Sequence, residues 1–373
     1  MSTVLLIGNG LSTGFDERLS GNAITAQVNE ALGADLRDLL GRIAELAQPE
    51  RADEPIGAER GDFERLAGPL DRLAEALLAI QDLVTLGEDA APLRGIREAS
   101  EELRRQYFSI VGTVLREVDV CCIEPEPDDE RRDAWDRLNN FAAEIVNWTG
   151  AANSVTVFTL NYDSLLMSSM LQATQWVYDG FRGRELNPVL DRWQNPALYH
   201  LHGSVSWVRK PEGIVTKQRL EEVREARLLD RWAEGNVDEG QPSVVLTDLK
   251  TPVAGRYPFV VFYEELARCL SNTRLAVVGG YSFGDKPVNR TLALYLKQDP
   301  FRRLRVWAPQ PDRERYLERL RLQLQVGEGT IADKQLEVEP VTLPDAEAVK
   351  SLRTELNEWC VTTGLGLRPR NAR

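Results

Sequence analysis

Histidine is nearly absent from this chain: 373 residues hold two, His200 and His202, set two positions apart in Leu198-Tyr199-His200-Leu201-His202-Gly203-Ser204. Acid–base chemistry near neutral pH most often uses histidine, so such chemistry has few other places to sit. Cysteine is also scarce. Cys121 and Cys122 are adjacent, and Cys269 and Cys360 stand alone, so there is no C-x-x-C pair to grip zinc; reduced, buried thiols and no metal are expected. No stretch reaches the 18 or so apolar residues of a membrane span. Met1-Ser2-Thr3-Val4-Leu5-Leu6-Ile7 runs straight into glycines, without the basic start and cleavage site of a signal peptide, so a cytosolic protein is expected. Basic charge is in deficit, 45 Lys+Arg against 58 Asp+Glu for a net of −13, which opposes nonspecific attraction to nucleic acid or anionic membrane.

What is present begins with Thr3 to Ile7, apolar after Thr3, as a strand covered on both faces should be. From about Asn22 to Trp148 the residues turn helical. Phe63, Leu66, Leu70, Leu73, Leu77, Ile80 and Val84 make one apolar stripe, with Pro69 predicting a kink or restart. A second helix is predicted from Arg97 to Val120. An acidic, proline-bearing turn at Glu124 to Glu130 follows, then a helix from Arg132 to Trp148 carrying Trp135, Leu138, Phe141 and Ile145. Residues 21–149 thus read as a helical insertion of ordinary domain size. Its apolar stripes permit assembly into a homo-oligomer.

Strands then alternate with helices. Strands are predicted at Val155 to Thr159, Ala197 to Leu201, Val244 to Leu246, Leu275 to Val278 and Leu304 to Trp307, and helices at Pro258 to Leu270, Lys286 to Leu296 and Asp312 to Gln323. The charged stretch Lys210 to Asp238 is predicted as an exposed helix. This grammar argues an α/β class, a doubly wound parallel Rossmann-like sheet formed by residues 1–20 and 150–363, with the helical insertion after its first strand. Residues 364–373 form a basic tail expected to be disordered.

Ligands of doubly wound sheets bind at the carboxyl ends of strands, and the polar motifs fall there. Gly8-Asn9-Gly10-Leu11-Ser12-Thr13-Gly14 follows the first strand. Its glycines are suited to positive φ and to bringing backbone amides near a pyrophosphate, yet the spacing G-x-G-x-x-x-G departs from the dinucleotide fingerprint. Thr159-Leu160-Asn161-Tyr162-Asp163, His202-Gly203-Ser204 and Gly279-Gly280-Tyr281-Ser282-Phe283-Gly284-Asp285 end three later strands. The last lacks a Gly-Lys-Ser/Thr ending, which excludes a P-loop. In a strand, His200 and His202 share a face, so periodicity does not choose between them.

As a set and in this order, the four motifs resemble those of the sirtuin family. Gly8-Asn9-Gly10-Leu11-Ser12 is similar to its Gly-Ala-Gly-Ile-Ser, Thr159-Leu160-Asn161-Tyr162-Asp163 to its Thr-Gln-Asn-Ile-Asp, His202-Gly203-Ser204 to its His-Gly-Ser, and Gly280-Tyr281-Ser282-Phe283 to its Gly-Thr-Ser-Leu. The resemblance implies NAD as ligand, with Asn161 holding the nicotinamide ribose and a water, Asp163 facing the carboxamide, and His202 as base. It also implies a binding loop of Gly8, Asn9, Gly10, Leu11, Ser12, Phe15 and Asp16, completed by Thr159, Gly279, Gly280, Tyr281 and Ser282. His200 falls to the scaffold.

The chain departs from sirtuin deacylases in having no zinc ribbon, and Gly14-Phe15-Asp16-Glu17-Arg18 stands where they have Pro-Asp-Phe-Arg. In both respects, and in Gly-Tyr-Ser-Phe-x-Asp at Gly280 to Asp285, it resembles bacterial sirtuin-like effectors of anti-phage defence. That resemblance implies hydrolysis of NAD to nicotinamide and ADP-ribose. Some such proteins work with a HerA-type ATPase, an Argonaute-like protein or a STAND sensor, and others respond to a cyclic nucleotide. An NAD- or ADP-ribose-binding scaffold and an NAD-dependent transferase or deacylase are the competing readings.

Overall fold

A computed structural model describes residues 2–31, 67–68, 70–73, 76–77, 93–127, 129–149, 154–187, 196–246, 255–308, 313–327, 330, 333–341 and 345–362. Pro69, most of the Phe63 to Val84 stripe and the tail after residue 362 lie outside them. Strand β1 (Ser2–Ile7) leads into helix α1 (Asn9–Phe15), and α2 (Gly21–Ala31), α3 (Leu93–Cys121) and α4 (Arg132–Thr149) follow. In α3, Val111, Val114, Leu115 and Val118 are buried at helical spacing; in α4 the same holds for Trp135, Leu138, Phe141, Ala142 and Ile145. Then come β2 (Ser154–Thr159), α5 (Leu165–Ala173), β3 (Phe181–Arg182), β4 (Glu185–Leu186), β5 (Ala197–His200), β6 (Gly203–Arg209) and β7 (Val215–Lys217). Helices α6 (Leu220–Glu225) and α7 (Leu228–Ala233), β8 (Gln241–Val244), α8 (Phe259–Ser271), β9 (Thr273–Gly279) and α9 (Lys286–Gln298) follow, then β10 (Arg303–Ala308), α10 (Arg313–Leu324), β11 (Leu336–Pro340) and α11 (Ala346–Thr362).

Six strands form one parallel sheet in the order β11-β10-β9-β1-β2-β5. The chain starts in the middle, builds outward through β2 and β5, then crosses back to β9 on the other side of β1. This is the doubly wound Rossmann order, and its crevice opens where the direction reverses, at the carboxyl ends of β1 and β9. The strands alternate faces as the pleat requires. Leu5, Ile7, Val155, Val157, Leu275 and Val277 pack into one core with α3 and α4, while Val4, Leu6, Phe158, Ala276 and Val278 pack into another with α8 and α9.

Several expectations are corrected. A second, five-stranded antiparallel sheet, β3-β4-β7-β6-β8, takes the strand expected at Val244 to Leu246, so that strand is not part of the parallel sheet. Its two-residue members are too short for a period to show. The Lys210 to Asp238 stretch is not one exposed helix: it holds β7 and two short helices, and Leu228, Leu229 and Trp232 are buried. Strand β11 and helix α11, which complete the far edge, were not expected. Strand β5 stops at His200, so the two histidines do not share a strand.

Helix α7 lies directly against α3. A β-carbon on Gly112 would stand 2.2 Å from the Ala233 nitrogen and 2.3 Å from the Trp232 carbonyl carbon, and Ser109 donates to the Ala233 carbonyl at 2.6 Å. Nearby, Arg224 grips Asp119 through two hydrogen bonds of 2.8 Å. Helix propensity alone favours Ala over Gly by about 1 kcal/mol. Here the methyl meets backbone, and overpacking typically costs about 1–3 kcal/mol. Gly112→Ala should therefore lower the urea midpoint; a raised midpoint would show that α3 and α7 are not in contact.

Candidate functional site

The first glycine loop is built by its neighbour across the sheet. Gly8 N–H donates to the Gly279 carbonyl at 2.9 Å and Gly10 N–H to the Gly280 carbonyl at 2.7 Å. A β-carbon on Gly8 would lie 2.7 Å from the Gly280 oxygen, and one on Gly280, whose φ is +65°, 2.3 Å from the Leu11 nitrogen. Neither Gly8 nor Gly10 is at positive φ, and their amides face protein carbonyls. The expectation of left-handed backbone at both glycines is thus corrected: they are small so that two loops can touch.

This contact seats α1, and α1 carries Ser12 to the loop after β2. Asn161 Nδ2 donates to Ser12 Oγ at 2.6 Å, and Ser12 Oγ donates to Asp163 Oδ2 at 2.6 Å. The loop is pinned at both ends. Asn161 N–H bonds Thr159 Oγ1 at 3.1 Å, and Asp163 Oδ1 accepts the Leu165 N–H at 3.1 Å. Burial raises the Asp163 pKa above its ordinary value, with the Ser12 hydrogen bond opposing it. The Asn161 side-chain oxygen is buried and has no hydrogen-bond partner.

The histidines differ in environment. His200, at the end of β5, packs edge-on against Trp207 and donates Nδ1–H to the Asn161 carbonyl at 3.1 Å. Burial pushes its pKa down to about 4, so it is neutral near pH 7. His202 sits in the turn between β5 and β6, where Gly203 takes φ +82° and a β-carbon would come within 2.1 Å of the Ser243 carbonyl. Its Nε2 lies 2.7 Å from Asp285 Oδ2, and its ring lies 6.2 Å from that of Tyr162 at a tilt of 33°.

Other predicted positions lie at the edge of this group. Leu11 and Phe15 are buried in the core, Asn9 donates to the Leu19 carbonyl at 3.0 Å, and Ser282 is exposed. Asp16 is held by Arg18 at 2.6 Å and Arg131 at 3.5 Å. Tyr281 OH donates to Asn289 Oδ1 at 2.8 Å and accepts the Asp285 N–H at 3.1 Å.

Residues 155–326 match the family model of the SIR2-like domain. The chain carries a SIR2-like domain. It runs from β2 past α10 and takes in Asn161, Asp163, both histidines and the loop from Gly279 to Asp285; the Gly8 to Ser12 loop reaches the same place from outside it. No curated protein matches the sequence. A solved structure described as the "Structural Basis for the Mechanism and Regulation of Sir2 Enzymes" aligns over 96% of this chain and 93% of its own, at 12% identity and a TM-score of 0.39. That likeness is too distant to bear on function. Among the described residues no cluster of three or more His, Cys, Asp or Glu could hold a metal ion, and no helix is long and apolar enough to cross a membrane.

Two features of the SIR2-like domain escape a linear reading. Nothing local ties residue 202 to residue 285, although Asp285 stands in the Gly-Tyr-Ser-Phe-x-Asp motif just before a helix. His200 contacts the backbone of Asn161, a link made across two strands. The buried, neutral His200 also sets a pH dependence. Its folded pKa lies below the ordinary 6.5, so the unfolded chain binds its proton first, and stability present above pH 6.5 is lost as pH falls toward 4. The full loss is about 3 kcal/mol. Asp163, shifted upward, acts in the opposite sense, so comparison with His200→Gln isolates the histidine. Urea unfolding of the parent should weaken more steeply between pH 6.5 and 4.5 than that of His200→Gln; equal slopes would place His200 in water.

Proposed function

We propose that this SIR2-like domain hydrolyses NAD to nicotinamide and ADP-ribose, with Asn161 and His202 as the catalytic residues. The observation that carries the reading is the buried, unpartnered side-chain oxygen of Asn161, whose amide nitrogen is anchored to Ser12 beside the switch point of a doubly wound sheet. Leaving such an oxygen without a donor costs about 1–3 kcal/mol, which a ribose hydroxyl or an ordered water would recover. The Gly8–Ser12 and Gly279–Ser282 loops, with Thr159 and Asp163, would form the rest of the NAD site. No metal is needed for this chemistry.

In the hydrolysis, water attacks the ribose carbon as its bond to nicotinamide breaks. The electron pair leaves with the pyridinium nitrogen, so nicotinamide departs neutral and needs no general acid, while oxocarbenium character develops on the ribose. One proton from the water must be removed. Asn161 would position the water and His202 would take that proton. Asn161, Asp163 and His202 are 5%, 6% and 2% exposed, so entry of a dinucleotide requires surrounding segments to move. That suits an effector held inactive until triggered. The resemblance to anti-phage effectors supports abortive infection as its role, with a homo-oligomer or a sensor partner supplying the trigger.

The commitment of the Gly8 and Gly10 amides to protein carbonyls favours one other reading, a subunit that binds NAD or ADP-ribose without turnover. Kinetics and calorimetry on the same preparations separate the two. His202→Ala should reduce nicotinamide release about 10²–10⁴-fold while NAD binding changes little; Asn161→Ala should reduce both. Parental turnover in His202→Ala would remove it as base, and tight NAD binding without release in the triggered parent would establish the non-catalytic subunit.

A further inference from the structure

We infer that Asp285 is a positioning residue that fixes the tautomer of His202 and stabilises its protonated form. The inference rests on reading His202 as the base. The His202–Asp285 pair is sealed from water, with side chains 3% and 2% exposed and a 2.7 Å Nε2–Oδ2 separation, the length of a charge-assisted hydrogen bond. With Asp285 ionised, its oxygens only accept, so Nε2 would carry the hydrogen and the lone pair of the neutral ring would be on Nδ1. When Nδ1 takes up the water proton, the new imidazolium already faces a carboxylate. Charge and counter-charge stay together, out of bulk solvent.

The carboxylate is fixed from several sides. Its Oδ1 accepts the Val288 N–H at 2.9 Å and caps α9, Tyr263 OH donates to Oδ2 at 3.3 Å from α8, and the Asp285 N–H is bonded to Tyr281 OH. Among the described residues, the phenols of Tyr162, Tyr263 and Tyr281 pack on the pair from neighbouring elements. Phenols are uncharged near pH 7, and burial pushes that of Tyr281 well above its ordinary value.

The bland account is that Asp285 serves as a helix cap alone. Asn caps helices about as well as Asp, so Asp285→Asn keeps the cap and the shape and removes only the charge. Its amide also donates, which drives Nε2 to become the acceptor. Two histidines in the whole chain make ¹⁵N-histidine NMR direct, with His200→Gln assigning the signals. In Asp285→Asn the Tm should stay near that of the parent. His202 should move from the Nε2–H to the Nδ1–H tautomer and lose about tenfold or more in proton affinity. Nicotinamide release should fall about 10²–10⁴-fold in kcat with little change in KM. Unchanged tautomer and titration of His202 in a folded Asp285→Asn protein would overturn the inference. The expected NMR changes in Asp285→Asn, together with a triggered parent that never releases nicotinamide, would keep Asp285's hold on His202 and refute the hydrolase reading instead.

Discussion

The candidate site depends on one backbone contact, the pair of hydrogen bonds that ties Gly8 to Gly279 and Gly10 to Gly280 across the central strands β1 and β9. Side chains on either loop would hold the strand ends apart. With glycines the loops meet, α1 starts where Gly8 ends β1, and Ser12 reaches Asn161 and Asp163, 149 and 151 positions away in sequence. Everything polar in the site is then set by neighbours that cannot move independently. Ser12 orients Asn161, His200 holds the carbonyl of the same residue, and Asp163 caps the turn into α5.

Much of this was legible beforehand. Apolar runs ending in glycine or in Asn-x-Asp mark strands whose carboxyl ends meet in a doubly wound sheet, and four such endings named the residues that the fold gathers. The long amphipathic helices α3 and α4 were equally plain, because a stripe of Leu, Val and aromatic residues repeats over many turns. What resisted reading was short or non-local. Strands β3 and β4 have two residues each, and α6 and α7 have six, too few to display a period. The packing of the glycines is hidden for a related reason. Glycine before a helix is consistent with a phosphate loop and with two loops in contact, and only the partner strand distinguishes them.

Burial also divides the two histidines in a way that composition cannot. His200 spends its one ring hydrogen on a backbone carbonyl and titrates far below neutrality, whereas His202 faces a carboxylate in a turn that only glycine can follow. One histidine therefore stabilises the loop bearing Asn161, and the other has the surroundings of a base. On the proposed function, the same enclosure that surrounds His202 must open before a dinucleotide can reach it.

The most direct test is the fate of both halves of NAD when the triggered protein is incubated with it and no acceptor is supplied. Mass spectrometry should find free nicotinamide and free ADP-ribose in equal amounts. NAD recovered intact, or ADP-ribose found attached to protein or nucleic acid instead of free in solution, would contradict the hydrolytic site built on Asn161 and His202.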